Sequence, residues 1–151
     1  MKTRFPSADE YTTQEARYPD STVVDIQACQ RTINEPYRND VLSNVNGECL
    51  RLAVFEGEYR WHCHPDSDEL FLVAAGKLQI DLAGNRTVEL GEWQYAVVPA
   101  GMAHRTRAIG RTVNITFEKQ HAGTVFIEPA AGGLPASNPQ PPGIGTRREN
   151  P

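Results

Sequence analysis

The sequence predicts an all-β domain, either a sandwich or a closed barrel. Short runs rich in β-branched and aromatic residues begin near Tyr37, and turn-forming residues separate one run from the next. Asn46-Gly47 lies between two of these runs, and this pair is a strong hairpin signal because both residues tolerate positive φ. About ten strands at such close spacing leave little chain for helices. The predicted strands span residues 38–44, 49–55, 60–64, 69–74, 77–82, 87–90, 94–98, 104–108, 112–118 and 124–128.

The chain divides into three predicted regions: an N-terminal extension over 1–36, the β-domain over 37–128 and a tail over 129–151. Residues 21–33 of the extension favour a short helix with Asp20 or Ser21 as its cap. The alternative interpretation of this segment is a strand through Val23, Val24 and Ile26.

The tail is rich in proline and glycine and has almost no large apolar side chain. Such a segment buries too little surface to offset the entropy of ordering, so we expect a flexible tail. The alternative is that it wraps a neighbouring subunit.

Composition narrows the functions that this domain can have. The 151 residues fit one domain, and 15 basic against 19 acidic side chains give a net charge of −4. An acidic chain is a poor ligand for nucleic acids or anionic membranes. The sequence contains neither a stretch of about 20 apolar residues nor a secretion signal at its start. Its three cysteines lack C-x-x-C spacing, so we expect a soluble, reduced, cytoplasmic domain without disulfides.

One segment carries residues suited to metal chemistry. Side chains two apart on a strand share a face, so His62 and His64 project together while Cys63 points away. The turn-forming residues 65–68 then reverse the chain, and an antiparallel neighbour can bring the Glu69 carboxylate beside both imidazoles. Two nitrogens and one carboxylate oxygen on one face form a plausible ligand set for a first-row transition metal.

These residues, with a second segment that leads to His104, resemble the cupin superfamily. The first family motif, G(X)5HXH(X)3,4E(X)6G, is matched by Gly57, His62, His64, Glu69 and Gly76, although one residue fewer separates Gly57 from His62. The second motif, G(X)5PXG(X)2H(X)3N, is matched in spacing by Pro99, Gly101 and His104. The resemblance is to small single-domain cupins of the mannose-6-phosphate isomerase-like, conserved-barrel type, and it covers residues 38–120.

The second motif departs from the family at two positions. Trp93 stands at the family's glycine position, with Gly91 two residues earlier, so we expect that turn to be built differently. Ala108 stands at the terminal asparagine position, which holds no metal ligand in the family.

The resemblance implies an antiparallel jelly-roll β-barrel in which four side chains hold one divalent metal: His62, His64, Glu69 and His104. These ligands leave part of the coordination sphere open, unlike a closed structural zinc site. The ligand types allow iron, manganese, nickel, zinc or copper. The resemblance also implies a homodimer, often formed by exchange of N-terminal strands, for which residues 38–44 are the candidate.

Strand parity predicts which side chains line the pocket beside this metal. Arg60 shares the parity of His62 and would suit a substrate carboxylate or phosphate, unless the strand start is irregular and leaves it in solvent. Phe71 and Val73 share the parity of Glu69, and Thr106 follows His104. Tyr59, Trp61 and Cys63 have the opposite parity and are expected on the outer layer.

Two functions are compatible with these residues. The first is a metal-dependent enzyme that acts on a small organic molecule, of isomerase, dioxygenase, decarboxylase or cyclase type. The second is a non-catalytic binding or sensing domain whose metal anchors a small-molecule ligand. The sequence contains no DNA-binding helix-turn-helix segment, and we expect neither nucleic acid nor membrane as a partner.

Overall fold

The computed structural model of the protein describes residues 5–128. The predicted tail over 129–151 lies outside the described residues. Two short helices precede the sheet, α1 (Ala8–Thr12) and α2 (Ile26–Arg31). The strands within 5–128 are β1 (Tyr37–Val45), β2 (Glu48–Glu58), β3 (His62–Cys63), β4 (Glu69–Ala75), β5 (Leu78–Leu82), β6 (Arg86–Leu90), β7 (Tyr95–Val98), β8 (His104–Lys119) and β9 (Val125–Phe126). The predicted all-β, antiparallel class is confirmed.

Strand β8 organises the curled antiparallel sheet. Its first half pairs with β5, from Leu78↔Ala108 to Leu82↔His104. Its second half pairs with β2 on one side and β4 on the other. The sequence predicted two strands over 104–108 and 112–118, but the structure has one strand that continues through Gly110. That glycine has φ of +71°, which lets the strand bend without ending.

Strand β2 is buried on both faces because it separates two apolar clusters. Ala53 and Phe55 face the barrel interior, where they pack with residues of β4 and β5. Leu52 and Val54 face the opposite side and pack with Val113 and with residues of α2 and the N-terminal segment. The candidate site described below adjoins the first cluster, where the Phe71 ring lies 5.8 Å from the His104 ring, centroid to centroid.

The N-terminal helices differ from the sequence prediction. Helix α2 begins at Ile26, and its cap is Asp25, whose carboxylate accepts the Ala28 N–H at 2.9 Å. The predicted caps Asp20 and Ser21 are therefore wrong, since Ser21 has φ of +63° and the chain is not yet helical there. The strand alternative is also wrong, because Ile26 begins a helix.

Helix α1 was not predicted. Ser7 and Glu10 form a capping box in which each side chain accepts the other residue's backbone N–H. The helix buries Tyr11 against the barrel, and this residue enters the candidate site.

The expected N-terminal strand exchange concerns β1. In this structure β1 pairs with β2 of the same chain, and homodimer formation stays a prediction. Cys29, Cys49 and Cys63 all lie in the described part and are free, as the sequence predicted. Within residues 5–128, no helix is long and apolar enough to cross a membrane.

Candidate metal centre

The fold brings the four predicted ligands together in the barrel wall. One donor atom from each of His62, His64, Glu69 and His104 lies within 4.8 Å of the others, and all four residues are buried. His62 on β3 pairs in register with His104 at the start of β8, and their ring centroids are 4.3 Å apart. Glu69 begins β4, after the turn that follows His64.

The three imidazoles are oriented alike by the backbone. Their Nδ1 atoms lie 2.8 Å from the Arg60 carbonyl for His62, 2.9 Å from the Gly123 carbonyl for His64 and 2.9 Å from the Met102 carbonyl for His104. A carbonyl oxygen can only accept, so each Nδ1 carries the proton and donates it. Each Nε2 is then directed away from the backbone, where a metal ion can bind it in place of a proton. Metal-binding histidines are held in this way in proteins.

Glu69 completes the donor set. Its Oε2 lies 3.1 Å from Nε2 of His64 and 3.3 Å from Nε2 of His104. Although the first distance is short, the buried His64 Nε2 makes no well-formed hydrogen bond with any described group. An orphaned imidazole nitrogen beside a carboxylate fits a metal ion, whose ligands must converge on one point. Three imidazoles and one carboxylate suit first-row transition metals.

Burial and neighbouring charges set the pKa values of the site's side chains in the absence of an ion. Burial lowers the pKa of His62 well below its usual value, and the neighbouring His104 and His64 lower it further. Burial would also lower the pKa of His64, but the carboxylates of Glu69 and Glu118 outweigh it and raise this pKa to about 9. Burial opposes ionisation of Glu69, yet His64 and His104 hold the pKa of Glu69 well below its usual range. Glu69 is therefore an anion, as a ligand must be.

A second buried carboxylate, which the sequence analysis missed, lies next to this cluster. Oε2 of Glu118 is 3.7 Å from Nε2 of His64. Its Oε1 is 2.9 Å from Nε of Arg51, and both side chains are almost fully buried. Burial and the nearby Glu69 raise the pKa of Glu118 to about 7, although the positive charges of His64 and Arg51 oppose this rise.

Tyr11 of α1 packs against both Glu118 and His64. Its hydroxyl donates to Oε1 of Glu118, and its ring stacks on His64 with centroids 5.7 Å apart. The Arg51 guanidinium lies 3.7 Å from the centroid of the Tyr11 ring, and its Nη2 donates to the Tyr11 carbonyl at 2.9 Å. The N-terminal segment is thereby tied to the candidate metal site by a cation–π contact and two hydrogen bonds.

A small cavity of about 30 Å³ opens beside the cluster. His62 and Glu69 form part of its wall, so the cavity adjoins the candidate metal position. Aromatic and polar side chains of the barrel form the rest: Tyr11, Tyr37, Asn39, Ala53, Phe55, Tyr59, Phe71, Thr106, Asn114 and Thr116.

Comparison with known proteins identifies the family. Residues 51–117 match the family model described as Cupin domain. The uncharacterized protein YdbB of Bacillus subtilis strain 168 is 45% identical over 108 residues, which cover 72% of this chain and 96% of that protein. The chain belongs to the cupin family.

Solved structures share the cupin fold. A cupin-2 domain protein of Shewanella frigidimarina is 28% identical, with a TM-score of 0.61 over 64% of this chain and 94% of that chain. A Klebsiella pneumoniae protein with a double-stranded β-helix domain is 17% identical, with a TM-score of 0.62 over 73% of this chain and 94% of that one. Oxalate decarboxylase OxdC of Bacillus subtilis is 20% identical, with a TM-score of 0.54 over 63% of this chain and 29% of the enzyme. The narrower resemblance to isomerase-like cupins stays a prediction.

The cupin motifs are linked by a backbone contact. Gly101 of the second motif donates its N–H to the carbonyl of His64 in the first motif at 2.9 Å.

Trp93, at the family's glycine position, has φ of +63° and is 72% exposed. A tryptophan thus occupies the left-handed conformation that glycine adopts most easily. Its N–H donates to the Val73 carbonyl at 2.7 Å.

The predicted pocket residues of this cupin separate into two groups. Phe71 and Thr106 line the cavity. Val73 is fully buried in the barrel core, outside the cavity lining. Arg60 lies away from the cavity, with its guanidinium 3.7 Å from the Phe126 ring centroid and 3.8 Å from the Glu128 carboxylate. Arg60 is not among the described residues that line the cavity.

Tyr59 lines the cavity and Arg60 does not, which is the reverse of what strand alternation predicted. The register of β2 shifts between Phe55 and Gly57, and residues 59–61 lie between strands. Period-two alternation therefore fails before His62. Tyr59, expected on the outer layer, lines the cavity, and its ring packs edge-on against the His62 ring with centroids 5.1 Å apart.

Proposed function

We propose that this cupin binds one divalent transition metal through His62, His64, Glu69 and His104 and is an enzyme that acts on a small organic molecule beside that ion. The observation that carries the proposal is the common orientation of the three imidazoles, each fixed by a backbone carbonyl. Four protein ligands leave one or two positions of a five- or six-coordinate ion for a substrate.

The bound ion would supply Lewis-acid or redox chemistry to a substrate oxygen. The chain's own residues provide the surroundings of that reaction. Ionised Glu69 and neutral His62 hold the cavity-facing side of the site. The Tyr11 ring and the aromatic walls of the cavity limit access of water. The oxalate decarboxylase named above supports a decarboxylase type only as one of the reactions this fold carries.

Metal loading tests the first half of the proposal. We expect untagged protein to bind one equivalent of Mn²⁺ or Fe²⁺ and to melt at a higher temperature when loaded, because the ion binds the folded state alone. The variant His104→Ala should lose the bound ion. His121→Ala, which removes an exposed histidine outside the cluster, is the matched control and should bind as the wild type does. Stoichiometric loading of His104→Ala would contradict the proposed site.

Turnover tests the second half. Loaded and metal-free protein should be compared on small hydroxy ketones, diketones and phenolic acids, with product formation and oxygen uptake as readouts. We expect metal-dependent turnover that His104→Ala abolishes and His121→Ala retains. Binding without turnover across the panel would favour the alternative, a non-catalytic sensing cupin.

A further inference from the structure

Three successive inward-facing side chains of β8 carry buried oxygens without partners. Asn114, Thr116 and Glu118 are each at most 2% exposed. Asn114 Oδ1, Thr116 Oγ1 and Glu118 Oε2 make no hydrogen bond to any group within residues 5–128. Residues two apart on a strand share a face, so the three oxygens form one row along the barrel interior.

Such a row is unusual in a barrel core. A buried polar group left unsatisfied costs about 1–3 kcal/mol, and most such groups in proteins have a partner. The cross-strand neighbours of Asn114 are Ala53 and Val73, and those of Thr116 are Phe71 and Arg51. The three apolar residues offer no hydrogen bond, and the Arg51 guanidinium is engaged by Glu118, the Tyr11 carbonyl and Gln14. A partner for Asn114 Oδ1 and Thr116 Oγ1 therefore has to come from solvent or from a ligand.

The row leads into the cavity beside the metal site. Asn114 and Thr116 line that cavity together with His62 and Glu69. Its volume of about 30 Å³ exceeds the roughly 10–15 Å³ that a cavity needs to hold one water molecule. A ligand hydroxyl group can replace a water of that size and reproduce its hydrogen bonds.

The charges near the cavity disfavour an anionic ligand group there. No lysine or arginine is among the described residues that line it. The nearest buried cation, Arg51, is engaged by Glu118, by the Tyr11 carbonyl and by Gln14. Apart from the metal ion, which a neighbouring oxygen of the ligand would bind, a carboxylate or phosphate placed against Asn114 and Thr116 would lose its hydration without gaining a counterion from the chain.

We propose that Asn114 and Thr116 form a subsite for an uncharged hydroxyl group of the substrate. This inference rests on the proposed function, because the metal site would hold a neighbouring oxygen of the same molecule. The substrate class is then a small uncharged molecule with a hydroxyl group next to a carbonyl or a second hydroxyl. The earlier candidate for recognition, Arg60, would have selected a carboxylate or phosphate instead.

Three small probes test this subsite on full-length, Mn²⁺-loaded protein. Hydroxyacetone carries the hydroxyl group, butanone has a methyl group in its place, and pyruvate has a carboxylate. Affinities come from the paramagnetic broadening of each probe's ¹H NMR signals. We expect hydroxyacetone to bind at least tenfold more tightly than either of the other two probes.

Variants of β8 assign the preference to Thr116. Thr116→Val should weaken hydroxyacetone binding about tenfold, to the level of butanone, while Thr116→Ser should retain the preference. Thr112→Val is the matched control: it is a buried threonine of the same strand, outside the cavity lining, whose hydroxyl donates to the Lys77 carbonyl at 3.0 Å. This control should retain the preference for hydroxyacetone.

The outcomes separate the inference from the proposed function. Failure of wild-type protein to bind Mn²⁺ would overturn the proposed function. Stoichiometric Mn²⁺ with equal affinities for hydroxyacetone and butanone, or with pyruvate preferred, would overturn the subsite alone. If Thr116→Val does not fold, the comparison of the three probes on the wild type still decides the matter.

Discussion

Glu69 and Glu118 are cross-strand neighbours on β4 and β8, and both carboxylates face Nε2 of His64, at 3.1 and 3.7 Å. Two buried carboxylates so close together repel each other, and burial with this repulsion raises the pKa of Glu118 to about 7. Arg51, only 2% exposed, offsets the repulsion through its 2.9 Å contact with Glu118. The Arg51–Glu118 ion pair therefore adjoins the candidate metal site.

Breaking this ion pair should destabilise the fold. Arg51→Met leaves Glu118 buried without its cation, and Glu118→Gln leaves Arg51 without its anion. Removal of one partner of a buried pair costs about 3–5 kcal/mol. We expect each variant to lower the free energy of unfolding in urea by that order.

The double variant Arg51→Met/Glu118→Gln controls for effects unrelated to the pair. It should lose clearly less than the sum of the two single losses, because the second change removes a charge that is already unpaired. Additive losses would show that the two side chains act independently and would contradict the prediction.

Tyr11→Phe tests how the N-terminal segment is attached. The change removes the hydroxyl that donates to Glu118 and keeps the ring that stacks on His64 and contacts Arg51. A hydrogen bond to a charged group contributes about 1.5–3 kcal/mol, so the free energy of unfolding should fall by about 2 kcal/mol. Tyr95→Phe alters a tyrosine that is 64% exposed and should change the free energy of unfolding by less than about 0.5 kcal/mol. Equal stability of both variants would argue against this attachment.

Local rules predicted that His62, His64 and Glu69 lie together, and the family motif added His104 to this cluster. His62 and His64 are two apart on an extended segment, and the turn after them returns the chain at Glu69. His104 follows a Pro/Gly turn that the family motif describes. Alternation failed for Tyr59 and Arg60 because the β2 register shifts before them. Gly57, which has φ of +88° at this shift, was the available signal for a bulge.

Glu118 and Tyr11 were missed for a different reason. Glu118 lies 49 residues after Glu69 in the sequence, and only the pairing of β8 with β4 makes them neighbours. Tyr11 reaches the site through tertiary packing of a five-residue helix. A signal for that helix was present in Ser7 and Glu10, whose spacing is that of a capping box. The alternating polar residues Asn114, Thr116 and Glu118 were a signal for a polar strip inside the barrel.

Gly76 of the first motif is predicted to be required for steric reasons. It has φ of +91°, and a Cβ there would lie 2.7 Å from Oγ1 of Thr112 and 2.8 Å from the Arg111 carbonyl. Gly84 has a similar φ of +82°, but a Cβ there meets no described atom within 4 Å. We expect Gly84→Ala to cost about 1 kcal/mol from backbone strain alone. Gly76→Ala should cost about 1–3 kcal/mol more from the added clash. If Gly76→Ala and Gly84→Ala lost similar amounts of stability in urea unfolding, the predicted clash at Gly76 would be contradicted.

Asp81 should make stability depend on pH in the acid range. Its carboxylate accepts from Arg107 at 2.7 and 2.8 Å, from Thr87 at 2.7 Å and from Arg105 at 2.9 Å. Burial alone would raise the pKa of Asp81, but these donors lower it to about 2. The folded state therefore holds the anion more tightly than the unfolded state, whose pKa is about 3.9. This contribution is complete above about pH 4 and is lost as the pH falls toward 2.

Asp81→Asn removes the charge and makes this dependence measurable. At pH 7 the variant should lose about 2.5 kcal/mol of unfolding free energy, the equivalent of the shift in pKa. In urea titrations between pH 7 and pH 3, the difference in unfolding free energy between wild type and variant should narrow only below about pH 4, because Asp81 of the unfolded wild type takes up its proton in that range. Asp20→Asn, at an exposed position, should show no such narrowing. A gap that stays constant down to pH 3 would mean that the two arginines do not hold the Asp81 carboxylate as an anion.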